Sequence, residues 1–202
     1  MASAAVPILA GLPQWNRLQG NLKLVLLVPI ISGLADVTSL VLMNFSINTW
    51  PVINLFFIAQ PVLFFLIINS ERKSIFLNTL IFLSLILALL NYALYQSPKT
   101  FNSYTSYLWG ILIIISAVNF LYQLLAKMPV EKVQMLPLFW VAFGVLIYYG
   151  GTLFLFLFNN YLIANLPEDH QLIWILHNLL NITKNGFLFI ALWMNYKSKT
   201  YP

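Results

Sequence analysis

The stretch 173–193, IWILHNLLNITKNGFLFIALW, is apolar enough to cross a membrane, yet Lys184 sits near its middle with His177, Asn178, Asn181 and Asn185 around it. A lysine at the centre of a membrane helix costs roughly 2.5–3.5 kcal/mol on insertion scales. Such a side chain belongs where protein or water receives it. The stretch therefore predicts a membrane helix within a bundle, its polar stripe turned away from lipid.

The composition agrees. Of the 202 residues 61% are hydrophobic and 7% charged, with a mean hydropathy of +0.86. Soluble domains carry about 25% charged residues, so this supply cannot build a water-facing surface. Hydrocarbon demands that every backbone group be satisfied internally. The long continuous apolar runs then favour helices over the short alternating strands of a barrel. The fold class expected is all-α, a polytopic bundle of six transmembrane helices forming one membrane domain over 1–202.

Spanning needs about 20 apolar residues. Six runs qualify, at about 23–44, 51–70, 74–95, 105–127, 136–158 and 171–195, separated by NFSINTW, SERKS, QSPKTFNSYT, KMPVEKVQM and NNYLIANLPEDHQ. Counting Lys and Arg in the connections sets the orientation. Arg17, Lys23, Arg72, Lys73, Lys127, Lys132, Lys197 and Lys199 fall on one side; Lys99 alone falls on the other, together with the acidic Glu168 and Asp169. Eight against one places both termini in the cytoplasm. The net charge of +5 thus records topology rather than a nucleic-acid partner. The opening MASAAVPILAGLPQW lacks a basic start and is broken by Pro7 and Pro13, so it reads as an interfacial or loosely ordered lead-in, not a signal peptide, with Trp15 at headgroup level.

Two ionisable residues lie deep in spans. Asp36 is 13 residues beyond Lys23, and Lys184 is 13 residues before Lys197. At about 1.5 Å per residue both lie about 20 Å from a cytoplasmic anchor, close to the midplane of a core about 30 Å thick. Opposite charges at equal depth on the first and last spans predict an intramembrane salt bridge. Ser32, Gly33, Asp36 and Ser39 share one face at spacings of three and four. Trp174, His177, Asn178, Asn181, Lys184 and Asn185 share another. Gln60, Ser116, Asn119 and Tyr148 add polar groups from the other spans. The expected site is a polar cavity opening outward, with Asp36 and Lys184 as its floor.

The chain has no cysteine, which excludes disulfides and thiolate chemistry. No His or carboxylate stands at metal-ligand spacing beside His177, and no cofactor is implied. An enzyme is the least favoured class, for want of a nucleophile–base pair, a metal cluster or paired carboxylates. Three readings remain. One is a small-molecule-binding or sensory membrane protein working with a separate membrane or cytoplasmic signalling partner. Another is a small transporter or channel using Asp36 and Lys184. The third is a structural membrane subunit in which the charges only fix helix packing, as polar groups between membrane helices do at about 0.6 kcal/mol each.

In LLVPIISGLADVTSLVLMN, NLFFIAQPVLFFLII and IWILHNLLNITKNGFLFIALW the chain resembles small uncharacterised polytopic proteins common in Bacteroidetes genomes. That resemblance implies a multi-pass protein of the bacterial inner (plasma) membrane and assigns no residue a role. A lysine in the last span with a buried aspartate elsewhere is also similar to the retinal-binding rhodopsins. Six spans, and an aspartate on the first of them, depart from that pattern.

Overall fold

The computed structural model describes the backbone of residues 2–18, 20–69, 75–127, 132–165 and 170–198, and the side chains of these apart from 2, 75–78, 127, 160, 163, 170, 172–173 and 195–198. Arg72, Lys73, Glu168, Asp169 and Lys199 of the charge count lie outside the described residues, as do the side chains of Lys127 and Lys197.

The six apolar runs fold as six long helices: α2 (Asn21–Asn44), α3 (Trp50–Asn69), α4 (Ile75–Leu94), α5 (Ser103–Lys127), α6 (Pro137–Asn165) and α7 (His170–Ser198). They follow a short helix, α1 (Ala5–Gly11), flanked by 3-10 turns at Ala2–Ala4 and Leu12–Gln14. No strand occurs among the described residues. Four helices (α2, α3, α5 and α6) are long and apolar enough to cross a membrane, and α4 carries a shorter apolar run. The chain is accordingly a multi-pass membrane protein. Pro137 opens α6, where the missing N–H breaks no intrahelical bond. Gly20, at φ +50°, makes the turn into α2; positive φ is a conformation that glycine adopts without penalty.

α6 is the centre of the bundle, packed along α5 on one side and α7 on the other; α2 lies on α3, and α3 on α5. Val145, Leu188, Phe64, Ile113 and Leu26 meet in the core. Exposed apolar side chains such as Val41, Leu89, Ile115 and Ile182 turn outward from α2, α4, α5 and α7, a surface compatible with lipid. α4 is peripheral and packs chiefly on α5.

Two glycines set the α6–α7 distance. A Cβ added at Gly144 would lie 2.6 Å from Phe187 Cβ, and one at Gly151 would lie 2.7 Å from both Leu180 methyls. The pairing runs antiparallel, and the small residues let two backbones approach.

At the end where α2 passes into α3, an amide network closes the bundle. Asn54 Nδ2 donates to Thr100 O at 2.7 Å, Asn102 N donates to Asn54 Oδ1 at 3.0 Å, and Asn48 Nδ2 donates to Lys99 O at 2.9 Å. Asn91 Nδ2 donates to Asn102 Oδ1 and to Thr105 Oγ1. Buried Asn54 thus satisfies backbone groups of the α4–α5 connection, as buried polar groups require.

The N-terminal segment corrects its sequence reading. It is a packed helix rather than loosely ordered. α1 packs against α7 and α2, with Ala4, Pro7, Gly11 and Gln14 buried. Pro7 stands in the first turn of α1, where proline is tolerated, so the residue that argued against a helix is compatible with one. Ser3 Oγ accepts from Asn185 Nδ2 at 2.9 Å.

The glycine contacts give a graded expectation. Gly144→Ala is expected to destabilise by about 1–3 kcal/mol through overpacking, because Phe187 Cβ is tethered to its backbone. Gly151→Ala costs less, since the Leu180 methyls can rotate, and Gly150→Ala, with open space beside it, is near neutral. Thermal unfolding of the three purified variants checks the order.

Candidate functional site

The polar stripe of α7 divides as it runs. Trp174, His177, Asn178 and Asn181 line a cavity of about 400 Å³, whereas Lys184 and Asn185 pass beyond it and are fully buried. The facing wall comes from α2, through Ser32, Asp36 and Ser39, and from Phe56 and Phe57 on α3; Tyr148 closes the side formed by α6. The cavity begins near Met43 and Thr49 at the α2–α3 turn. Spacings of three and four on two helices thus meet across one space, which is what places Asp36 and Asn181 on facing walls of it.

His177 organises the aromatic part. Its Nε2 shares a 3.0 Å hydrogen bond with Tyr148 Oη. Around its ring stand Trp174 at 5.1 Å, Tyr148 at 5.8 Å and Phe57 at 6.0 Å between centroids, all at steep interplanar angles. Such edge-to-face contacts are the favoured aromatic geometry. They leave a walled space rather than a stack.

Lys184 overturns the expected ion pair. Its Nζ has no hydrogen-bond partner, and no salt bridge joins it to Asp36. It lies 4.4 Å from the centroid of the Tyr148 ring and 6.0 Å from that of Phe64. The rotation of α7 turns Lys184 toward α3 and α6, while Asp36 faces the cavity. Asp36 attracts Lys184 electrostatically without touching it. The ammonium is held by ring faces, a cation–π arrangement that strengthens when desolvated. Lys184 is not part of the cavity lining, so the floor is Asp36 and Asn181 without it.

The remaining expected residues scatter. Gln60 is buried on α3, and neither of its amide atoms has a hydrogen-bond partner among the described residues. Ser116 is buried on α5, which contributes nothing to the cavity wall. Asn119 is exposed and accepts from Gln123 Nε2 at 3.2 Å, so it leaves the site. Asn185 is engaged by Ser3. No group of His, Asp and Glu able to hold a metal occurs among the described residues. Phe56, Phe57 and Thr49 were missed by sequence reasoning. Apolar aromatics in a span carry no pattern that separates a cavity wall from a lipid face. No family model, curated protein or solved structure matches the chain, so the geometry of the cavity carries the functional reading.

Because the charges do not touch, a cycle of Asp36→Asn, Lys184→Met and the double variant is expected to give a coupling below about 1 kcal/mol. Lys184→Met alone should unfold at the same or a higher temperature, since it removes a buried ammonium without an acceptor. Strong destabilisation by each single change, relieved in the double, would show a direct pair instead.

Proposed function

We propose that this chain is a six-span protein of the cell (inner or plasma) membrane, both termini cytoplasmic, that binds a small molecule in the cavity between α2, α3, α6 and α7. The single observation that carries the reading is that cavity, with a carboxylate, a histidine–tyrosine pair and two asparagines converging on about 400 Å³. A concave, mostly apolar space with a few convergent polar groups is the form that ligand sites take. Its volume falls in the usual range of roughly 300–1,000 Å³. The orientation rests on the charge count and puts the cavity mouth, near Met43, Thr49 and Trp174, on the outer face. A cavity accessible from outside with so little chain in the connections suits a sensory subunit that passes occupancy to a separate partner.

A second reading, transport, is favoured by the N-terminal segment. It packs on α2 and α7 and reaches Asn185, beyond the deep end of the cavity, where a transporter needs a second gate.

Topology is tested in a chain without native cysteine. Ser97→Cys, exposed in the α4–α5 connection, is expected to react with a membrane-impermeant maleimide on intact cells, and Asn16→Cys only after permeabilisation. The reverse labelling would invert the orientation.

Function is tested in lipid nanodiscs by thermal unfolding against a panel of soluble small molecules. A saturable rise in Tm is expected for the parent and for Asn119→Ala, and its loss in Ser39→Trp, which fills the cavity. Flux of the same compound in proteoliposomes would select transport over sensing. Stabilisation that survives Ser39→Trp would move the site elsewhere.

A further inference from the structure

We infer that the cavity takes a small organic cation, an ammonium carrying an apolar or aryl group, with Asp36 as its counter-ion and the aromatic walls as its cage. The inference rests on the ligand-binding reading of the same cavity and specifies the chemistry of its occupant.

The charge inventory points first to a cation. Among the described residues, Asp36 is the one carboxylate on the wall, and no lysine or arginine lines the space. The buried Lys184 is held over the Tyr148 ring and lies outside the lining. An anionic ligand would meet a carboxylate in a medium that screens it poorly. A cation placed there is attracted by Asp36 at short range.

The shape of the wall points the same way. Trp174, Tyr148, Phe56 and Phe57 border the cavity. Three of these rings stand at 61–76° to the His177 imidazole, edge to face around it. Aromatic rings bind quaternary and alkylated ammonium groups through their negative faces, a mode that strengthens as water is excluded, and Trp174, Phe56 and Phe57 border the cavity besides Tyr148, whose ring already receives Lys184. The apolar share of the lining, including Ile53 and Ala35, accommodates a hydrocarbon group beside the charge. Asn178 and Asn181 supply acceptors for any N–H the ligand carries.

Size limits the class. About 400 Å³ admits a molecule of one ring with its substituents.

The test uses the full-length protein in nanodiscs and three probes of similar shape: phenyltrimethylammonium, its uncharged carbon isostere tert-butylbenzene, and benzenesulfonate. Binding is read by thermal shift and by Trp174 fluorescence, with Trp174→Phe identifying that signal. Phenyltrimethylammonium is expected to bind roughly tenfold or more tightly than tert-butylbenzene, and benzenesulfonate not at all. Asp36→Asn should erase that preference while leaving the uncharged probe unchanged. If Asp36→Asn does not fold, Trp174→Leu provides the comparison, weakening the cation more than its isostere.

Equal binding of cation and isostere, or a preference for the sulfonate, would overturn the cation assignment and leave the cavity as a ligand site. If none of the three probes binds, the cation assignment falls, and the panel of soluble small molecules with Ser39→Trp decides the cavity reading on its own.

Discussion

The contact between α6 and α7 governs the site. Gly144, Tyr148 and Gly151 fall at i, i+4 and i+7 on one face of α6. On α7 they meet Phe187, Lys184 and Leu180 in reverse order. The glycines bring the two backbones together, and the tyrosine between them is pressed into the gap. One side of its ring economy serves Lys184 by cation–π contact, and its hydroxyl serves His177. Any loss of closeness at the glycines therefore reaches both the buried ammonium and the histidine.

The same face explains how a lysine is kept in an apolar bundle. An ammonium in a low-dielectric interior needs compensation. Here it comes from the Tyr148 and Phe64 rings and from the field of Asp36, not from a contact ion pair. Asp36 itself stays on the cavity wall. At two other places polar groups of the bundle pair directly. Asn54 and Asn102 join the α4–α5 connection to α3, and Ser3 receives the amide of Asn185. The N-terminal segment thereby fills space between α2 and α7 that the six long helices alone leave to it.

Much of the helical framework was legible because hydropathy reports length directly. The runs 23–44 and 51–70 became Asn21–Asn44 and Trp50–Asn69. The run 136–158 underestimated α6, which continues to Asn165; an apolar window marks where side chains are greasy, whereas helical hydrogen bonding continues into polar turns. α1 was missed since seven residues carry too few turns for a periodic signal, and Pro7 looked like a breaker until its place in the first turn was known. Of the site, Asp36, Tyr148, Trp174, His177, Asn178 and Asn181 met at one cavity because polar residues at helical spacing on two spans have to face inward. Ser116 and Asn119 did not, because α5 stands behind α6 and never borders the space.

The sequence by itself determined that the chain is helical and multi-pass, and which faces of α2 and α7 are polar, since these depend on composition and on the 3.6-residue period alone. Tertiary structure decided the rest: the rotation of α7 that sends Lys184 to Tyr148 instead of Asp36, the inward packing of α1, and the aromatic walls of the cavity. Those outcomes depend on how helices turn about their own axes against one another. Residue depth can be counted along a chain, but azimuth is fixed only when Gly144 and Gly151 meet their partners.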